Sequence, residues 1–172
     1  MKRALIVLAL ALFSTTAFAQ LVKLVEFEGG IGSQPFANVG GAVAANDVNG
    51  VPQGGRPWPI KKLKATVFTD GTIDAKGENL VLGGGATVGT RGGVTQVAAT
   101  LFCGTGTGLL QFSSPAVPIA VNGDFEINAH LNAVPRSPCT NPVLLIRNAP
   151  PLAGTPGNWF AAGIPESDSD SD

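Results

Sequence analysis

Asp124-Phe125-Glu126-Ile127-Asn128-Ala129-His130-Leu131 alternates with a period of two residues. Phe125, Ile127, Ala129 and Leu131 fall on one face, and Asp124, Glu126, Asn128 and His130 on the other. Successive side chains of an extended chain point to opposite sides, so this is a strand with one buried and one wet face, the pattern of an antiparallel sheet. Leu63, Ala65 and Val67 repeat it against Lys62, Lys64 and Thr66, while Leu21–Phe27 is apolar on both sides. Val143-Leu144-Leu145-Ile146 is a short unbroken apolar run, suited to a central strand covered on both faces. Helical spacing is absent outside the first residues.

The turn residues agree. Asp70-Gly71 and Asn122-Gly123 sit between alternating segments and predict hairpins with two-residue type I′ turns. Gly83-Gly84-Gly85, Gly92-Gly93 and Gly104–Gly108 mark further bends. Strands are expected near 21–28, 37–45, 62–69, 72–76, 79–83, 94–103, 109–112, 117–122, 124–131, 143–147 and 158–162. So many short strands with Gly/Pro turns predict an all-β fold, an antiparallel β-sandwich or small barrel. Segment 46–60, with six glycines and prolines, reads as one long exposed loop. The likeness between Phe68–Ala75 and Val121–Ile127 is ascribed to shared turn chemistry rather than to a repeat.

Residues 1–19 have the three parts of a secretory signal peptide: Lys2 and Arg3, an apolar run Ala4–Phe13, and Ala17-Phe18-Ala19 before the cut. The apolar run is about ten residues, where a spanning helix needs roughly 20. The expected organisation is a signal peptide 1–19, one β domain 20–165, and a disordered acidic Ser-Asp tail 166–172. The mature chain then has no membrane span and is secreted, to periplasm or medium.

Without Lys2 and Arg3, nine basic residues face 12 acidic ones, and four of those acids lie in the tail. A body so close to neutral lacks the basic stripe that nucleic acid demands. The cluster Arg56, Lys61, Lys62 and Lys64 reads as a solvated strand entrance. Cys103 and Cys139 are the only cysteines, and an even pair in an exported chain predicts a disulfide. Cys103 shares a face with Val97, Ala99 and Leu101, whereas Cys139 lies between Pro138 and Pro142. The bond should tie a proline-rich loop to the end of a core strand, stabilising it by about 3–4 kcal/mol.

No motif implies a cofactor or a metal. Gly104-Thr-Gly-Thr-Gly108 lacks the dinucleotide spacing and no helix follows it. Asn46-Asp47-Val48-Asn49-Gly50 lacks the later ligands of a calcium loop and reads as an Asx-type turn. Two cysteines and a single histidine are too few for a zinc site. Asp124 and Glu126 stand about 6.5–7 Å apart on one strand face, the spacing of an inverting glycosidase pair and of any i, i+2 acidic pair. His130, the sole histidine, would have to serve any nucleophilic scheme, but it stands about 13 Å from Glu126 and no serine occupies a nucleophile elbow.

Trp58, between Pro57 and Pro59 and two residues after Arg56, is the candidate binding residue. Prolines on both sides hold an extended backbone, which either presents the indole to a sugar or protein or lets it pack down as a lid on one end of the fold. Trp159 belongs to a terminal strand and to the core.

The pattern Leu101-Phe102-Cys103, Asn122-Gly123-Asp124-Phe125, Cys139-x-x-Pro142 to Arg147 and Trp159-Phe160-Ala161 resembles a group of small, uncharacterised exported bacterial proteins, over roughly residues 62–163. The resemblance carries no activity to any residue. With no catalytic set assembled, the expectation is an exported, non-enzymatic binding or structural module with a protein or glycan partner. The alternatives are a secreted hydrolase using Asp124/Glu126 or His130, and a proteinaceous inhibitor presenting the 50–60 loop.

Overall fold

The structure is a computed structural model and describes residues 21–149 and 157–166. The expected signal peptide and the Ser-Asp tail beyond Glu166 lie outside them. Eleven strands follow in chain order: β1 Lys23–Gly32, β2 Phe36–Val39, β3 Ala42–Ala45, β4 Lys62–Phe68, β5 Thr72–Glu78, β6 Gln96–Cys103, β7 Leu110–Ser113, β8 Val117–Pro118, β9 Phe125–His130, β10 Val143–Asn148 and β11 Trp159–Pro165. A single 3-10 turn, Gly106–Gly108, occupies the Gly-Thr-Gly-Thr-Gly stretch. The all-β antiparallel fold is the one the alternation predicts.

Nine strands form one sheet in the order β7-β6-β10-β11-β1-β4-β5-β9, with β8 beside β6. Of the two expected forms it is the barrel-like one, a single sheet curled on itself. Its last strand returns toward its first, where Asn132 N–H donates to Ser113 O (2.9 Å) and Ser113 N–H to Asn132 Oδ1 (2.9 Å). The alternating residues fill the interior: Leu63, Ala65, Val67, Ile73, Phe125 and Ile127 join Phe27, Leu101, Leu144 and Ile146 in one core. β10 is covered on both sides as its apolar run requires. Leu144 and Ile146 face the interior, and Leu145 lies under a second cluster with Val51, Phe102 and Trp159. The outer face of β1, β4, β5 and β9 is polar. There Lys62 pairs across strands with Glu78 (3.2 Å) and Lys64 with Glu28, so these cations form a solvated ladder.

The turns differ from expectation. At both predicted hairpins the glycine alone has positive φ (Gly71 +88°, Gly123 +86°), and its N–H donates to the carbonyl three residues earlier, Phe68 or Ala120. That is the longer turn ending in a glycine bulge, not the two-residue type I′ form. The positive-φ pair occurs instead at Asn49-Gly50, where Val48 and Val51 exchange both backbone bonds (3.0 and 2.9 Å). It recurs at Gly40-Gly41, which breaks the expected 37–45 strand into the β2–β3 hairpin. In segment 79–83 only Leu80, Val81 and Leu82 are buried, and the segment is not a strand, because successive N–H groups bond different loops: Leu80 to Gly123 O, Val81 to Pro59 O, Leu82 to Thr90 O.

Segment 46–60 is not an exposed loop. Val51, Gln53 and Trp58 are buried, because the segment crosses the outside of β10–β11 and then turns in over one end of the barrel.

Cys103 and Cys139 are bonded with Cα atoms 5.0 Å apart. Gly104 N–H donates to Thr140 O (2.6 Å) beside the bridge, so the proline-rich loop is tied to the end of β6 by both links.

Candidate functional site

Asp124 and Glu126 line an open depression of about 490 Å³ on the outer surface, beside Lys76, Glu78 and residues 118–120. Asp124 is engaged in structure. Its Oδ1 accepts the Asn79 N–H (2.9 Å) and its Oδ2 the Asn122 side-chain amide (2.8 Å), which ties the 122–123 turn to residue 79. Glu126 accepts from Asn128 (3.0 Å) and stands opposite Lys76 in the β5–β9 register. Each Asp124 oxygen thus accepts one structural hydrogen bond, which fixes the carboxylate's orientation on the turn.

His130 pairs with Thr72 across β5–β9, with Nδ1 3.3 Å from Thr72 Oγ1. Thr72 Oγ1 donates to Asp70 Oδ2 (2.9 Å), and Thr72 N–H donates to Asp70 Oδ1 (2.8 Å). The Thr72 N–H, first among its partners, holds the Asp70 carboxyl below the usual carboxylate range. This exposed chain runs in the wrong direction for nucleophilic catalysis. The hydroxyl proton is directed at Asp70, so the histidine meets an oxygen acceptor rather than a proton to remove. Ser113 and Ser114 are occupied elsewhere: Ser113 Oγ meets Thr100 Oγ1 (3.1 Å), and Ser114 Oγ bonds Ala99 N–H and Pro115 O. Among the described residues no group of three or more His, Cys, Asp or Glu is placed to hold a metal.

Trp58 takes the packed-down position of the two that the prolines allow. It is 3% exposed and stacks on Phe160, with ring centroids 4.1 Å apart. It does not present its indole to solvent. Antiparallel bonding to Ser33 fixes its backbone: Trp58 N–H donates to Ser33 O (2.8 Å), and Ser33 N–H to Phe160 O (2.8 Å). The turn before it is held from inside by Gln53. The Gln53 amide donates to Ser33 Oγ (2.7 Å) and Arg56 O (2.6 Å), and its oxygen accepts the Gly55 N–H (2.6 Å). Gly54 then lies flat over the rings, where a Cβ would stand 2.5 Å from Phe160 and 3.1 Å from Trp58 Nε1.

This turn and residues 87–94 enclose a depression of about 540 Å³, to which Arg56, Trp58, Thr87, Arg91 and Asn148 contribute. Arg56 is exposed and reaches over Gly85, and Arg91 is half-buried, with Nη1 donating to Val94 O and a buried Nε that has no partner. Among the described residues no acidic side chain lines the depression. Two guanidinium groups that line one depression with no acid among the described residues beside them can receive an anion through bidentate N–H donation. Arg56 and Trp58, singled out in the sequence, meet here. Arg91 was missed, and its only signal was its place in the turn Gly89-Thr90-Arg91-Gly92-Gly93.

No helix of the described residues is long and apolar enough to cross a membrane, and the disulfide is consistent with an oxidising environment. No family model, no curated protein and no solved structure matches the chain.

Proposed function

We propose that the protein is an exported, non-catalytic binding module, and that the depression between residues 54–58 and 87–94 receives an anionic group of its ligand. The observation that carries the reading is that Arg56 and Arg91 line one depression with Trp58, and that no acid among the described residues lines it. Export rests on the tripartite leader and on the disulfide. The catalytic alternative is weakened by Asp124, each of whose oxygens accepts a structural hydrogen bond, and by His130, which faces a hydroxyl that donates to Asp70. An inhibitor inserting Trp58 into a protease would need the indole outside, and it is stacked within.

The test is calorimetric titration of the purified protein with oligogalacturonate, an acidic glycan, and with a neutral glucan of the same length. The expected result is binding of the acidic chain alone, weakened about tenfold or more by Arg56→Ala, as loss of a charge-assisted contact implies. Equal binding of both glycans, no binding of the acidic chain, or turnover of either substrate would overturn the reading.

A further inference from the structure

The β2–β3 hairpin is the one strand pair among the described residues that stands outside the large sheet. Its strands bond each other from Phe36↔Ala45 to Val39↔Ala42, and among the described residues neither outer edge has a ladder partner. Its base is firm: Asn46 N–H donates to Pro35 O, the Asn46 side-chain amide to Gln34 O (2.9 Å), and Trp159 Nε1 to Asn46 O (2.9 Å). In the pairing register Phe36, Asn38, Val43 and Ala45 share one face, and Phe36 and Val43 are 70% and 77% exposed. From Gly29 to Asn46 the chain carries no charged residue.

Each of these features is unusual for a free surface. A two-stranded ribbon alone is marginal in water, and a third or fourth strand is what stabilises it. Exposed edges are normally blunted by lysine, inward charge, proline or a bulge, and these two strands have none within them. The composition also narrows the occupant. Four-residue strands are too short to cross a bilayer, which takes about 9–11, and without a basic residue the hairpin has no attraction to anionic lipid. A charged partner would leave its charges buried without a counter-ion against this surface. What suits an uncharged edge of alanine and valine is an edge of the same kind, and the same edge on a second copy meets it around a two-fold axis.

We propose that the β2–β3 hairpin is a homotypic docking element: the Ala42–Ala45 edge of one copy pairs antiparallel with that of a second, making a four-stranded sheet between two barrels. The contact is small, so the dimer forms in the micromolar range or above.

The test is sedimentation velocity of the purified protein from about 5 to about 500 µM, the range in which a small interface declares itself. Wild type should pass from monomer to dimer, and Val43→Lys should stay monomeric with an unchanged circular dichroism spectrum. As a second readout, Ala44→Cys supplies the only free thiol beside the Cys103–Cys139 bridge. It should cross-link through residue 44 on mild oxidation. A wild type that is monomeric throughout overturns the proposal, as does a Val43→Lys protein that dimerises equally well, or an Ala44→Cys protein that does not cross-link. Partition of the hairpin into neutral vesicles in place of dimerisation would also overturn it.

Discussion

Trp58 and Phe160 stack with their planes inclined by 28°, and Ser33 bonds the backbone of both, so a loop residue and a strand residue share one hydrogen-bonded corner of the core. Prolines 57 and 59 bring the indole in as a fixed plug rather than holding it out. Trp58→Ala should therefore lower stability by about 3–5 kcal/mol, the usual cost of removing a buried tryptophan. Trp58→Phe should cost much less, because it keeps the aromatic contact and deletes an indole N–H that has no partner. Urea denaturation followed by circular dichroism separates the two. An equally small loss in both variants would show that the corner is not packed as described.

Gly123 approaches the backbone of Leu80 so closely that a Cβ would stand 2.3 Å from the Leu80 oxygen, and its φ is +86°. Gly123→Ala meets a steric clash with backbone and a left-handed conformation at the same residue. The expected loss is at least about 2 kcal/mol. Gly84→Ala, with nothing within 4 Å and no positive φ, is the control and should stay within about 0.5 kcal/mol of wild type.

What could be read in the sequence was what depends on one strand at a time. The alternation in Asp124–Leu131 and Lys62–Phe68 identified strands, inner faces and fold class, because burial of one face imposes it locally. The apolar run Val143–Ile146 likewise announced a strand covered on both sides. Turns were less legible. Asp70-Gly71 and Asn122-Gly123 marked the right places with the wrong geometry, since Asx-Gly serves both the type I′ turn and the glycine bulge. Gly40-Gly41 carries a hairpin signal inside a segment, 37–45, that otherwise reads as one strand. Arg91 was not legible, because what gives it meaning is that it lines one depression with Arg56, and segments 54–58 and 87–94 meet through loop bonds at Leu82 and Gly83.

The Cys103–Cys139 bridge closes a loop of 36 residues. Replacing both cysteines by serine should cost about 3–4 kcal/mol on the chain-entropy estimate. Because Thr140 O still accepts the Gly104 N–H, the proline-rich loop keeps one tie to β6, and a folded protein with a lower urea midpoint is expected. A midpoint unchanged by the double substitution would mean that this second tie alone holds the loop.

Acid should weaken the fold through two named carboxylates. Asp70 is held below its ordinary range chiefly by the Thr72 N–H, and Glu26 chiefly by its hydrogen bond from Lys23. In the unfolded chain both return to values near 4. A group whose folded value is the lower one stabilises the protein above its unfolded value, and that contribution is lost as the pH falls through the folded value. The melting temperature of wild type should thus be flat from about pH 7 to about pH 5 and then fall below about pH 4. Asp70→Asn keeps an acceptor for the Thr72 N–H but removes the titration, and Glu26→Gln does the same opposite Lys23. The double variant should start lower at neutral pH and descend less steeply below about pH 4. If its slope in acid equals that of wild type, the lost protection belongs to other carboxylates.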